Sequence, residues 1–191
     1  MNLHKRIAWN APVTLTFSGI CLFALILNFF THDWANTYLF SVYRASLLTP
    51  LTYVRLIGHV FGHASIDHFT GNIFLILLLG PLLEEKYGSR RIIALILCTA
   101  VVTGAVQMLL FPNTALLGAS GVVYAMIILS SFTSMKKDGR IPITFLLVAV
   151  IYLGGQIADG IFVQDDVSNL THLIGGVIGG GFGFAYNRHL S

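Results

Sequence analysis

Ser120 stands in the string Gly118-Ala119-Ser120-Gly121, between residues too small to obstruct a substrate backbone that approaches its hydroxyl and N–H. A serine hydroxyl is a poor nucleophile until a base takes its proton, and His172 is an imidazole with a neutral form near pH 7. His68 and Asn72 lie four residues apart, on one face of any helix that carries them, and both side chains donate hydrogen bonds. With the backbone N–H of Ser120 they would hold an oxyanion, where each donor is worth about 3 kcal/mol of transition-state stabilisation. Tyr124 follows Ser120 by one helical turn, so its ring could support the imidazole. The chemistry these groups predict is acyl transfer by a serine–histidine dyad, because no carboxylate is placed to orient the histidine.

Other clusters read as structural. His59 and His63 have the outer spacing of a zinc-binding HExxH helix, but Val60 stands where the catalytic glutamate would be, so hydrogen bonding is expected and no metal or other cofactor. Asp159, Asp165 and Asp166 lack a glycine-turned ligand loop and predict a solvated face rather than a calcium site. Glu84 is expected to snorkel or to pair with Lys86 or Arg90. Cys21 and Cys98 sit in separate apolar stretches and read as small buried hydrophobes.

The elements that must position the reactive groups follow from composition. Only 10% of the 191 residues are charged and 55% are hydrophobic, against about 25% charged in a soluble domain. A mean hydropathy of +0.80 makes lipid the solvent. Apolar blocks at residues 13–30, 67–87, 92–111, 118–133, 141–158 and 169–186 approach the roughly 20 residues that a helix needs to cross a bilayer. The prediction is an all-α, polytopic membrane protein of six transmembrane helices in a single domain over residues 1–191. The long stretch 31–66 predicts a first outer loop with a fold or a task of its own.

Of the eleven Lys and Arg residues, nine fall on one side of such a bundle and only Arg44 and Arg55 on the other, so the positive-inside rule puts both termini in the cytoplasm. These cations are scattered between apolar blocks, which argues against a nucleic-acid partner although the formal charge is +3. The second, fourth and sixth spans then all start at the outer face. His68, Asn72, Ser120 and His172 should therefore share one shallow depth, and polar groups inside a membrane are expensive unless paired or wet. A channel or transporter would instead carry polar residues through the full thickness. Gly175, Gly179 and Gly183 recur every four residues on the last span, a spacing that lets two helices pack closely in lipid.

Taken together, Arg55, His68-x-x-x-Asn72, Gly80-x-x-x-Glu84-x-x-x-Gly88, Gly118-x-Ser120-Gly121 with Tyr124, and His172-x-x-Gly175 resemble the rhomboid family of intramembrane serine proteases. The resemblance covers Arg55 to Ala185 and departs from the family pattern at Val54, where a tryptophan is frequent. It implies Ser120 as nucleophile and His172 as base and acid, with His68, Asn72 and the Ser120 amide holding the oxyanion. Arg55, His59, His63 and Glu84 would be structural, the fifth span a lateral gate, and the substrates transmembrane proteins reached through membrane lipid. The six-span form is similar to the family's basic bacterial members, which implies the inner membrane with the site open to the outer side.

Overall fold

The computed structural model describes residues 9–134 and 166–188, with helical positions at 143, 144, 146–148, 150, 151 and 154. The chain is all-α and polytopic. Its elements are α1 (Pro12–Phe30), α2 (Trp34–Tyr38), α3 (Pro50–Gly58), α4 (Ile66–Tyr87), α5 (Ser89–Leu110), α6 (Ser120–Ser131) and α7 (Asp166–Arg188), with 3₁₀ turns at His59–Phe61 and Phe132–Ser134. Among the described residues, α1, α4 and α5 are each long and apolar enough to cross a membrane. Most of the expected fifth span and the acidic residues Asp159 and Asp165 lie outside the described residues.

Three boundaries differ from the sequence expectation. Helix α5 begins at Ser89, three residues before the expected Ile92, because the glycine turn at Gly88 (φ +85°) ends α4 and lets Arg90 and Arg91 lie in the first turn of α5. The fourth helix begins at Ser120 and not at Gly118, whose φ of +132° is incompatible with a helix. Helix α7 begins at Asp166, so that Asp166 to Ser168 belong to its first turn and not to a loop.

Glu84 corrects the expected pairing with Lys86 or Arg90. Its carboxylate accepts hydrogen bonds from the backbone N–H groups of Val13 and Thr14 (3.0 Å each), from Thr14 Oγ1 (2.9 Å) and from Ser89 Oγ (2.7 Å). Pro12 opens α1 without an N–H to satisfy, and Glu84 supplies from another helix the anionic cap that the next two amides require. Gly80, one turn earlier on α4, allows this approach, since a Cβ there would lie 2.6 Å from Thr14 Oγ1. The Gly80-x-x-x-Glu84 spacing is thus a clasp for the start of α1.

The stretch between α1 and α4 is folded as well as long. Arg55, buried on α3, donates from Nε to the Tyr38 carbonyl (3.0 Å) and lays its guanidinium 4.5 Å from the centre of the Tyr43 ring. Asn36 Nδ2 donates to the His63 carbonyl (3.0 Å). Arg44 donates to the carbonyls of Met108 and Leu109 at the open end of α5 (2.9 and 2.7 Å), where unpaired carbonyls accept a cation well. A pair of 2.9 Å backbone bonds joins Val42 to Leu116. These contacts tie the loop to the segment that leads into α6.

Helix α6 is the centre of the bundle. Val122, Val123, Ala125, Met126, Ile127, Ile128 and Leu129 are all buried, so α6 is enclosed by protein where α1, α4 and α5 each expose a face. Its twelve residues span about 18 Å against a hydrocarbon core of about 30 Å. A helix that short does not reach across such a core by itself, and Ser120 is its first residue.

Candidate active site

The segment before Ser120 is positioned from behind. Gly118 donates its N–H to the His59 carbonyl (2.9 Å), and its left-handed backbone turns the chain into α6. His59 is itself fixed: Nδ1 lies 3.3 Å from the Arg55 carbonyl and Nε2 3.2 Å from Thr103 Oγ1. Gln107, buried on α5, donates to the Thr114 carbonyl (3.0 Å) and to Thr114 Oγ1 (2.9 Å), which pins the same segment.

From α4, His68 packs its ring on Gly118. A Cβ on Gly118 would lie 2.8 Å from His68 Cε1 and 2.9 Å from Nε2, so the glycine is required by contact as well as by conformation. Ser65 Oγ accepts from the His68 N–H (3.1 Å) and caps α4 where His68 begins to turn inward. Asn72, one turn further along α4, is buried, and its Nδ2 has no hydrogen-bond partner among the described residues. His63 stands behind His68, with ring centres 5.1 Å apart, edge to face. Its Nδ1 meets the Phe61 carbonyl at 3.1 Å and must donate there. Burial and the neighbouring His68 push His63 down to about 4, and burial pushes His59 down to about 4, so both imidazoles are neutral at pH 7.

Helix α7 runs parallel to α6 along a seam of glycines. A Cβ on Gly175 would collide with the Gly121 carbonyl, one on Gly179 with the Ala125 carbonyl, and one on Gly183 with the Phe132 ring. Gly121 is in turn 3.2 Å, at its own Cβ position, from the Thr171 methyl. Gly121 therefore sits between Thr171 and Gly175 of the facing helix. Its neighbour Ser120 is level with His172. The Tyr124 and His172 rings are stacked, 4.3 Å between centres and 6° between planes, which fixes the plane of the imidazole from the α6 side. Ser120, His68 and His172 are each half-buried.

The structure thus gathers His68, Asn72, Gly118, Ser120, Gly121, Tyr124 and His172 at one end of the bundle, near the N-terminal ends of α4, α6 and α7, and places Glu84 at the other end of α4. Sequence reasoning missed Asn169. It is buried on α7, one turn before His172, and its Nδ2 also lacks a partner among the described residues. The available signal was an amide three residues from a candidate base, at membrane depth, where a polar group needs a reason.

A family model described as Rhomboid domain matches residues 50–189. The chain belongs to the rhomboid family. It is 30% identical over 138 residues to Rhomboid-related protein 1 of Caenorhabditis elegans, an alignment that covers 68% of this chain and 39% of that protein. It is 29% identical over 181 residues to Rhomboid protease GlpG of Serratia proteamaculans (strain 568), covering 93% of this chain and 64% of the relative. With Rhomboid protease GlpG of Yersinia pestis (strain Pestoides F) the identity is 28% over 172 residues, covering 88% and 60%. The chain therefore spans less than two thirds of the length of each of these relatives.

Proposed function

We propose that this rhomboid is an intramembrane serine endopeptidase that cuts transmembrane proteins in or near their membrane helices. The observation that carries the reading is the register of the glycine seam, which sets an alcohol on α6 level with an imidazole on α7 whose plane is fixed by Tyr124. His172 takes the proton from Ser120 Oγ as the oxygen attacks the scissile carbonyl, then returns it to the leaving amine. The oxyanion that forms is held by the Ser120 N–H at the positive end of α6, by Asn72 Nδ2 and by His68, donating from a ring nitrogen. Water then hydrolyses the acyl-enzyme by the same proton transfers in reverse. Neither step calls for a metal or cofactor.

Residues 1–191 form one rhomboid membrane domain in this reading, with six crossings and the fifth span as the gate through which a substrate helix enters from the lipid. The distribution of nine basic residues against two supports cytoplasmic termini, a site open to the outer side and, for a bacterial protein, residence in the inner membrane. Transmembrane substrates and lipid are the partners; nucleic acid is not.

Reconstitution in liposomes with a single-span substrate tests the assignment. The parent protein cleaves, while Ser120→Ala and His172→Ala each lower the rate by about 10⁴-fold or more. A fluorophosphonate labels the parent at Ser120 and neither variant. Equal cleavage by all three proteins would remove the dyad.

A further inference from the structure

Two buried side-chain amides carry an Nδ2 with no partner among the described residues, Asn72 on α4 and Asn169 on α7. A buried donor without an acceptor is a cost that native structures avoid unless a water or a ligand completes it. Asn72 is accounted for by the oxyanion. Asn169 is not used by that chemistry, yet it is only 9% exposed and so is turned into the protein rather than toward lipid or solvent.

Its position says what would complete it. Asn169 and His172 are three residues apart on α7, so they share a face, and the amide lies about 4.5 Å further out along the helix axis. The Thr171 contact with Gly121 fixes His172 at the level of Ser120, which places Asn169 one turn outward of the reacting carbonyl. A substrate helix unwound for attack exposes main-chain carbonyls in a medium that supplies no replacement donors. An extended chain rises about 3.3 Å per residue, so the carbonyls one or two residues from the scissile bond fall at the depth of the Asn169 amide.

We propose that Asn169 is a substrate-binding residue whose Nδ2 donates to a main-chain carbonyl of the unwound substrate, one or two residues from the bond that is cut. This rests on the proteolytic reading above. Because the acceptor is backbone, the contact recognises any sequence that can be drawn out of helix at that depth and selects for unwinding rather than for a side chain.

The test uses the full chain in liposomes and two readouts, the kinetics of a single-span substrate and the rate of Ser120 labelling by a fluorophosphonate, which has no peptide main chain. Asn169→Leu keeps the volume and removes the donor. It should raise KM about tenfold, the loss expected when a substrate carbonyl is left unpaired, while labelling stays within about twofold of the parent. Asn169→Gln, which restores an amide, should recover at least part of the lost kcat/KM. An unchanged KM overturns the proposal, and so does labelling that falls in step with cleavage, since Asn169 would then act through His172. If Asn169→Leu fails to fold, Asn169→Ala is held to the same two criteria. A parent protein that neither cleaves nor labels would instead defeat the underlying assignment and this inference with it.

Discussion

The two ends of α4 handle buried polarity in opposite ways. At the C-terminal end, Glu84 is buried and its carboxylate accepts four hydrogen bonds, two from amides that α1 has no other way to satisfy. At the N-terminal end, Asn72 is also buried and its donor has no partner among the described residues, while His68 is pressed on Gly118, two residues before Ser120. Protein surrounds both groups, so burial alone does not separate structure from function. What separates them is whether the partners are already present: a closed polar set holds helices together, and an open one waits for a ligand.

That contrast breaks most visibly at Glu84. Glu84→Ala would leave the Val13 and Thr14 amides and the Thr14 and Ser89 hydroxyls without their acceptor at the start of α1. A loss of about 4 kcal/mol is expected, since each bare buried group costs about 1–3 kcal/mol and some will find water. Unfolding in detergent micelles measures it. The fraction that remains folded should cleave with kcat/KM within about twofold of the parent, because the clasp lies at the far end of α4. A Glu84→Ala protein of normal stability and low activity would reverse the assignment of the two ends.

Asn72→Leu is the matching experiment at the open end. Removal of one oxyanion donor should lower kcat by about 10²- to 10³-fold, roughly 3 kcal/mol in the transition state. Stability should hold or rise, since an unsatisfied buried amide is replaced by an apolar side chain of similar volume. Thermal unfolding beside single-turnover cleavage separates the two effects. A destabilised Asn72→Leu protein would mean that the amide has a structural partner after all.

How much of this was legible in the sequence depends on whether the determining contacts are local. The limits of α1 and α4 follow from predominantly apolar runs opened by Pro12 and by the Ser65 cap, and both helices begin within one residue of the expected positions. The four-residue glycine repeat announced a close helix seam and named Gly175 and Gly179, though not the carbonyls they approach. The Glu84 clasp was out of reach because its partners lie about 70 positions away, so that Lys86 and Arg90 were the only neighbours in view. Gly118 fell inside the apolar block 118–133, whereas its left-handed turn shows only in the fold, where His68 packs on it and its N–H donates to the His59 carbonyl. Asn169 passed unnoticed for a related reason: a single amide at the head of a span looks like a boundary until its burial is known.

The seam between α6 and α7 sharpens the comparison at smaller scale. Gly179→Ala directs a methyl at the Ala125 carbonyl, a backbone atom that has little freedom to move. Overpacking of this kind costs typically 1–3 kcal/mol, and about 2 kcal/mol is expected here. Separation of the helices also lifts His172 from the level of Ser120, so activity should fall with stability, unlike at either end of α4. Gly181→Ala is the control, as a Cβ there meets nothing within 4 Å. It should leave both quantities within error of the parent.

The smallest effect is on pH, and it probes the neutral imidazoles behind the site. His59 and His63 are charged in the unfolded chain below about 6.5 and stay neutral in the fold down to about 4. Over that window unfolding takes up protons, so the stability that rests on the neutral form is complete above about 6.5 and is lost progressively as pH falls towards 4. Between pH 7 and pH 6 the two histidines together should cost about 1 kcal/mol, read as a drop in the unfolding midpoint. His63→Gln keeps a donor for the Phe61 carbonyl but does not titrate, so it should remove about half of that drop. The slope should be indifferent to Ser120→Ala, because protonation acts here through the packed loop and not through the reaction. If Ser120→Ala flattened it, the neutral histidines would belong to the open, ligand-awaiting end of the molecule rather than to its scaffold.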